Sequence, residues 1–264
     1  MDLGIRGRTA LVTGSTAGIG FAIASVLARE GATVVVNGRT VDRTEAAVAR
    51  IRDLHPSAIV SGAAADLGSA DGARRLVAAV PVVDILVNNV GIFAPIPFEK
   101  ITDEEWLEIF EVNVLSGVRL TRAYLPAMRT ANWGRVVFIS SESGLQIPTE
   151  MIHYGVTKTA QLALSRGLAE TLVGTGVTVN AVLPGPTRSE GVEEFLEGLA
   201  RQQHTDLPTI EREFFRSARP SSIIKRFATP DEVAEMAAYV CSTQASATTG
   251  AALRVDGGVV RAIA

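Results

Sequence analysis

The sequence predicts an α/β protein of three layers, in which helices cover both faces of a doubly wound parallel sheet of about seven strands. Short runs of valine, isoleucine and leucine alternate along most of the 264 residues with longer stretches whose apolar residues recur at helical spacing. The runs are almost continuously apolar, as expected for strands that are buried on both faces. Strands and helices in regular succession predict parallel strands joined by helices.

Each element follows from one of these two patterns. The predicted strands are residues 9–13, 33–37, 59–61, 84–88, 135–140, 177–183 and 252–255. The predicted helices are residues 19–29, 43–54, 70–80, 103–128, 152–173 and 230–242. Sheets of this kind bind ligands at the carboxyl ends of their strands, so the residues that follow each strand are the first candidates for function.

Residues 189–226, here called the insertion, interrupt the alternation between the sixth strand and the last helix. Connections of about 2–6 residues are usual at such places. Two short helices are predicted in the insertion, at 193–201 and 210–219, divided by Pro208. An insertion at the carboxyl end of a strand predicts a substrate lid within a single domain of residues 1–264, and a subunit-contact arm is the alternative.

Composition and charge exclude several classes of protein. A hydrophobic fraction of 47% and a charged fraction of 20% are those of a globular chain. With a net charge of −3 there is no basic field to hold nucleic acid or an anionic membrane. A single cysteine, Cys241, excludes an internal disulfide and a cysteine-rich zinc site, and we expect no metal. Because no signal peptide or membrane span is recognisable, we expect a cytoplasmic protein.

A glycine-rich turn follows the first predicted strand and opens the first predicted helix. It reads TGSTAGIG over residues 13–20. Glycines let the chain turn sharply and let backbone amides approach a phosphate at the positive end of a helix. The spacing differs from the general dinucleotide fingerprint G-x-G-x-x-G. The context of strand, turn and helix nevertheless predicts a site for the pyrophosphate of a dinucleotide.

A second group of polar residues lies at the end of the fifth strand and on the helix that follows it. Tyr154 and Lys158 lie four residues apart and hence on one helix face, and Ser141 ends the fifth strand. If the bound dinucleotide delivers a hydride to a carbonyl, a side chain has to supply the proton. A tyrosine pKa of about 10 must fall by two to three units to exchange protons near neutrality. A lysine about 4 Å away supplies roughly 4 kcal/mol toward that shift at an effective dielectric constant of 20.

These motifs resemble, in order and spacing, those of the short-chain dehydrogenase/reductase family and its 3-oxoacyl-carrier-protein-reductase-like branch, with a Rossmann fold. The turn resembles the family pattern T-G-x-x-x-G-I-G, and residues 88–91 resemble N-N-A-G with Val90 in place of alanine. The spacing of thirteen residues before Tyr154 matches the family serine to Ser141, rather than to Ser140 or Ser143. The resemblance covers nearly the whole chain except the insertion.

The resemblance implies a role for each catalytic residue. Tyr154 is expected to be the general acid in reduction and the general base in oxidation. Lys158 is expected to lower the pKa of Tyr154 and to bind the nicotinamide ribose. Ser141 is expected to hydrogen-bond the substrate oxygen, and Asn113 to hold a water molecule that links Lys158 to solvent.

The expected cofactor contacts follow from the turn, the resemblance and the end of the second strand. They are Gly14, Ser15, Thr16, Gly18, Ile19, Gly20, Arg39, Asp66, Leu67, Asn89, Gly91, Tyr154, Lys158, Pro184, Gly185, Thr187 and Ser189. A fold that prefers NAD commonly ends its second strand with an acid, but Gly38 stands there and Arg39 follows. A guanidinium suits the extra phosphate of NADP, whereas Ala17 adds no basic group. We therefore expect NADP, with NAD as the alternative.

The substrate is expected to be a small, apolar ketone or alcohol. The residues that could form an apolar wall are Phe93, Ile147, Met151, Phe195, Phe214 and Phe215. Core packing of the insertion is the alternative explanation for them. The arginines of the insertion could meet an acidic carrier protein, but they are interleaved with acidic residues, so a basic docking patch is unconvincing. Fold alone does not identify a substrate.

Three functions are compatible with the sequence. The leading hypothesis is an NAD(P)-dependent oxidoreductase that interconverts a ketone and a secondary alcohol. A narrower one is 3-oxoacyl-[acyl-carrier-protein] reductase, and a non-enzymatic one is a dinucleotide-binding sensor or regulator. The complete set of catalytic residues argues against the sensor. The resemblance also implies a homotetramer, with helices 103–128 and 152–173 pairing across one interface and the tail after Gly258 packing at another.

Overall fold

The computed structural model describes residues 2–263 and their side chains, except the side chain of Phe195. Seven parallel strands form a sheet in the order β3-β2-β1-β4-β5-β6-β7, which confirms the predicted fold class. The strands are β1 (Thr9–Val12), β2 (Thr33–Gly38), β3 (Val60–Ala64), β4 (Ile85–Asn88), β5 (Gly134–Ile139), β6 (Val177–Pro184) and β7 (Ala252–Val255). The helices are α1 (Gly18–Arg29), α2 (Val41–Leu54), α3 (Ala70–Ala79), α4 (Asp103–Phe110), α5 (Ser116–Thr130), α6 (Ile152–Glu170), α7 (Glu190–Gln202), α8 (Leu207–Ser217) and α9 (Pro230–Cys241).

The apolar strands are sandwiched between two layers of helices. Along β1, Ala10 and Val12 pack on the side of α1, α2 and α9, whereas Leu11 packs on the side of α3, α5 and α6. Successive strand residues point to opposite faces, so a strand that is buried on both faces has apolar residues at nearly every position. None of the helices within residues 2–263 is long and apolar enough to cross a membrane.

The strand order places a crevice at the carboxyl end of β1. β1 pairs with β2 on one side and with β4 on the other, so the chain connections leave in opposite directions from this point. Crevices at such switch points are the ligand sites of open α/β sheets. The glycine-rich turn after β1 and residues 88–91 after β4 lie at the same edge.

The helix predicted at 103–128 is interrupted. α4 ends at Phe110, a π-helical turn covers Glu111–Leu115, and α5 continues from Ser116. A π turn inserts one extra residue per turn and occurs often at functional sites. Here it contains Asn113, which it displaces from the register of a continuous helix.

The insertion folds around a small core of its own. Leu196, Ala200, Ile210, Phe215 and Phe227 form this core, against which Phe214 packs. Core packing, the alternative explanation for Phe214 and Phe215, is therefore the one observed, because the centres of their rings lie 5.0 and 5.1 Å from that of Phe227. The predicted division at Pro208 is wrong, since this proline lies in the first turn of α8, where its missing N–H costs no hydrogen bond.

Candidate active site

The turn after β1 needs its glycines. Gly14 and Gly18 have φ values of +59° and +55°, a region that side chains with a Cβ rarely adopt. A Cβ at Gly20 would lie 2.4 Å from the carbonyl oxygen of Gly14 and 2.5 Å from Nδ2 of Asn89. Asn89 Nδ2 donates to the carbonyls of Thr13 and Gly14, at 3.0 and 3.1 Å. The end of β4 therefore fixes the turn from across the crevice.

A cleft of about 1030 Å³ opens from this turn. Seven of the expected cofactor contacts line it, namely Gly14, Thr16, Arg39, Asp66, Leu67, Asn89 and Gly91. Ser15 is an exception, because it is fully buried and its hydroxyl donates to the Val12 carbonyl and accepts from the Asn37 amide. Its side chain supports the turn and does not face the cleft.

The remaining expected contacts surround the cleft from neighbouring elements. Gly18, Ile19 and Gly20 form the first turn of α1, Tyr154 and Lys158 lie on α6, Pro184 ends β6, Gly185 and Thr187 follow it, and Ser189 precedes α7. The Gly18 amide donates to Oε2 of Glu190 at 2.8 Å. An anionic oxygen thus already binds at the start of α1, where the helix end favours negative charge. The residues present therefore fit the pyrophosphate of a dinucleotide.

Arg39 and Arg43 follow the end of β2, and an acidic side chain does not fit at Gly38, the last residue of that strand. A Cβ at Gly38 would lie 2.4 Å from Cγ2 of Thr16 and 2.9 Å from Oγ1 of Thr44. A carboxylate side chain therefore has no room at this position. Arg39 and Arg43 both line the cleft there. Arg43 was not predicted from the sequence, although its spacing of four residues from Arg39 across the start of α2 could have indicated it.

Tyr154 and Lys158 are brought together on α6. The ammonium nitrogen of Lys158 lies 5.5 Å from the centre of the Tyr154 ring. Lys158 is buried, and its Nζ donates to the Ile139 carbonyl at 2.9 Å and to Oε1 of Gln161 at 3.3 Å. A Cβ at Gly91 would lie 3.5 Å from Nζ. The backbone at Gly91, after β4, therefore approaches the lysine ammonium closely.

Asn113 connects α6 to the chain after β4. Its Oδ1 accepts from the Ile92 amide at 2.7 Å, and its Nδ2 donates to the Ile92 carbonyl and to Oγ1 of Thr157, at 2.9 and 3.0 Å. The Asn113 carbonyl accepts from Nε2 of Gln161 at 2.6 Å. In a regular α-helix this carbonyl would accept a hydrogen bond from an amide of the next turn. In the π turn it accepts one from a side chain of α6 instead. Gln161, which contacts both Asn113 and Lys158, was missed by the sequence analysis.

The serines at the end of β5 have different environments. Ser140 faces the protein interior, where its hydroxyl donates to the Lys158 carbonyl at 2.9 Å. The Ser141 hydroxyl donates to Oε2 of Glu142 at 2.6 Å. Of the two serines, Ser141 is the one that acts on the pKa of Tyr154. Ser143 donates to the same Glu142 oxygen at 2.6 Å.

The pKa values of the two groups on α6 move in opposite directions. Burial raises the pKa of Tyr154 above its ordinary value, Ser141 and Arg219 oppose the rise, and the charge of Glu142 adds to it. Burial lowers the pKa of Lys158 to about 8. Both shifts follow from the cost of a charge removed from water. In the protein alone, Tyr154 is therefore a proton donor.

The expected apolar wall is partly present near the tyrosine. The Phe93 ring meets the Tyr154 ring edge-on at a centroid distance of 6.0 Å. Ile147 lies over Gly155, where a Cβ would approach its Cγ2 to 2.7 Å. Phe93 and Ile147 remain 60% and 41% exposed, so both have surface left for a ligand. Met151 is half-buried, and the Phe195 side chain lies outside the described part of the structure.

Known proteins share this arrangement. A family model described as short chain dehydrogenase matches residues 8–199. The chain is 49% identical over 263 residues to the uncharacterized oxidoreductase YvaG of Bacillus subtilis, with full coverage of both. It is 32% identical over 264 residues to 3-oxoacyl-[acyl-carrier-protein] reductase FabG of Aquifex aeolicus, covering 98% of this chain and 100% of the relative. The crystal structure of L-sorbose reductase from Gluconobacter frateurii, complexed with NADPH and L-sorbose, has a TM-score of 0.94 at 31% identity and full coverage of both chains. The chain therefore belongs to the short-chain dehydrogenase/reductase family and is an oxidoreductase that acts on CH–OH and C=O groups.

Proposed function

We propose that the protein interconverts a ketone and a secondary alcohol with NADP(H), and that Tyr154 is its general acid and base. The observation that carries this proposal is the pair of arginines at the end of β2, where the packing of Gly38 leaves no room for an acid. Guanidinium groups bind phosphate by charge-assisted hydrogen bonds, and the extra phosphate distinguishes NADP from NAD. NAD is the alternative cofactor.

The reacting groups of the chain have distinct tasks in this reaction. The nicotinamide, when bound, supplies or accepts the hydride. Tyr154 donates the proton to the ketone oxygen in reduction and takes it back from the alcohol in oxidation. Ser141 hydrogen-bonds the reacting centre, and Lys158 stabilises the tyrosinate through its charge. Asn113 and Gln161 hold the lysine side of the site in place, and Asn113 is the proposed contact for a water molecule.

The cofactor preference can be measured by fluorescence titration with NADPH and with NADH. We expect NADPH to bind at least about tenfold more tightly, which corresponds to roughly 1.4 kcal/mol. Arg39→Ala and Arg43→Ala should each weaken NADPH binding and leave NADH binding unchanged, because NADH lacks the phosphate. Arg74→Ala on the exposed side of α3 is the control for removing a surface charge. Tighter binding of NADH by the wild type would contradict the proposal.

We propose a small carbonyl compound as substrate, with its apolar part against Phe93. The candidate of a carrier-bound 3-oxoacyl group has weaker support. Arg201 and Arg216 of the insertion pair with Glu197 and Glu213, and Arg219 is buried, so these arginines do not form a free basic patch. NADPH oxidation in the presence of L-sorbose or acetoacetyl-coenzyme A compares the two chemistries named by the relatives. Faster turnover of the thioester would favour the 3-oxoacyl reductase function.

We further infer that the protein works in the cytoplasm as a homotetramer. A groove of about 500 Å³ runs between α5 and α6, lined by Leu125, Pro126, Leu164 and Leu168 among other residues. Apolar surface of this kind supports the pairing of these helices with those of another subunit. Light scattering at the working concentration should give four times the chain mass of 27.8 kDa. A monomer would contradict the inference.

A further inference from the structure

A buried glutamine connects the π turn to the lysine of the site. Gln161 is 2% exposed and Lys158 is 4% exposed, and the two lie three residues apart on α6. Nε2 of Gln161 donates to the Asn113 carbonyl at 2.6 Å, and its Oε1 accepts from Nζ of Lys158 at 3.3 Å. A buried amide is destabilising unless it is hydrogen-bonded. Gln161 meets this condition by spanning the gap between Asn113 and Lys158.

The π turn determines which way the amide of Gln161 points. The nitrogen of a glutamine amide donates hydrogen bonds and its oxygen accepts them. The Asn113 carbonyl can only accept, so the end of the amide that faces it at 2.6 Å has to be the nitrogen. The oxygen is thereby left for Lys158. Asn113 is itself held in place, because its side chain is hydrogen-bonded to Ile92 and Thr157 at 2.7 to 3.0 Å.

The hydrogen bonds of Lys158 favour its charged form. Nζ donates to the Ile139 carbonyl at 2.9 Å and to Oε1 of Gln161 at 3.3 Å, and both oxygens can only accept. Hydrogen bonds donated by an ammonium group are stronger than those donated by a neutral amine. The two carbonyl groups therefore stabilise the ammonium form against burial, which acts in the opposite direction and lowers the pKa of Lys158 to about 8.

We propose that Gln161 is a positioning residue: the Asn113 carbonyl of the π turn fixes its amide, and the amide oxygen holds Lys158 as an ammonium ion beside Tyr154. The π turn thus acts on the site through this side chain. The proposal rests on the proposed function, in which the charge of Lys158 stabilises the tyrosinate. It assigns to Gln161 an effect on proton transfer that is exerted through Lys158.

The charged and titratable groups near Lys158 are engaged with other partners. Within residues 2–263, Lys158 forms no ion pair, and Tyr154 faces it from the same helix with its ring centre 5.5 Å from Nζ. On the neighbouring elements, Glu142 after β5 pairs with Arg219 of the insertion, Glu111 of the π turn pairs with Arg119, and His153 of α6 packs against Trp106. The burial of Lys158 is therefore opposed by neutral carbonyl groups, one of which a substitution can remove.

The test is a titration of Lys158 by nuclear magnetic resonance, in cofactor-free protein whose lysines carry carbon-13 at Cε. The chain has three lysines, Lys100, Lys158 and Lys225, and Lys158→Met identifies the signal of Lys158. Methionine has a length similar to that of glutamine but no carbonyl oxygen. We therefore expect Gln161→Met to lower the Lys158 midpoint by at least about one pH unit, a roughly tenfold loss of proton affinity. An unchanged or higher midpoint would overturn the proposal.

Two further variants separate the amide oxygen from the packing around it. Gln161→Glu places a carboxyl oxygen at the same position, and this oxygen can accept from Nζ in either protonation state. We expect its Lys158 midpoint to lie at or above that of the wild type. A midpoint as low as that of Gln161→Met would show that the packing acts on the lysine, and the proposal would fail. Gln202→Met, at the exposed end of α7, is the control and should leave the midpoint in place.

Far-ultraviolet circular dichroism checks the folding of each variant. If Gln161→Met does not fold, Gln161→Leu carries the same comparison with a smaller apolar side chain. The titration needs neither cofactor nor turnover. A wild type that reduces no carbonyl would count against the proposed function, while the Lys158 midpoints would still decide the role of Gln161.

Discussion

Tyr154→Phe is expected to lower kcat for carbonyl reduction by about 10²- to 10⁴-fold, the usual contribution of a positioned general acid. The phenyl ring keeps the edge-on contact with Phe93 and loses only the hydroxyl. NADPH binding should stay within about threefold of the wild type, because the glycine-rich turn, Arg39 and Arg43 are untouched. Steady-state assays at saturating NADPH measure kcat, and a fluorescence titration measures the affinity for NADPH.

Tyr239→Phe is the matched control for this prediction. Tyr239 is 39% exposed on α9, on the opposite face of the sheet from α6, so its hydroxyl has no part in the site. We expect its removal to leave kcat unchanged. Full turnover in Tyr154→Phe would show that another group protonates the substrate, and a loss of NADPH binding would show a structural role for the hydroxyl.

The sheet and the cofactor turn were predictable because their signals are local. β1 is apolar and buried at Ala10, Leu11 and Val12, and such a run is sufficient to place the strand between two helix layers. The turn at 13–20 is recognised from its glycines, which the structure shows to be required at Gly14, Gly18 and Gly20. Tyr154 and Lys158 were predictable for the same reason, since one helical turn joins them.

The rest of the site depends on contacts that no local pattern encodes. Arg219 and Glu142 are 77 positions apart, and each alone has the pattern of an ordinary charged residue. The π turn was missed because one extra residue barely disturbs an apolar period of 3.6. The periodicity of α8 correctly predicts a buried face, but it does not tell whether Phe214 and Phe215 bury it against the insertion or a substrate.

Lys158→Met should lower kcat by on the order of 10²-fold and move the pH dependence of alcohol oxidation. At the observed 5.5 Å between Nζ and the Tyr154 ring centre, a unit charge stabilises tyrosinate by about 3 kcal/mol at an effective dielectric constant of 20. Oxidation needs Tyr154 without its proton, so losing this stabilisation shifts the rise of activity to higher pH by about two units, at roughly 1.36 kcal/mol per unit.

The pKa of Lys158 itself gives the direction of a second effect. Burial lowers this pKa to about 8, so the cofactor-free enzyme loses the lysine charge as the pH rises through that value. Below about pH 8 the wild type has the charge and Lys158→Met lacks it, so the stabilisation that residue 158 offers to a forming tyrosinate should differ most between the two in that range. Lys100→Met, at an exposed lysine before α4, is the control. If the pH profile of Lys158→Met coincided with that of the wild type, the lysine would act only by binding the cofactor ribose, and the tyrosine would owe its activation to another charge.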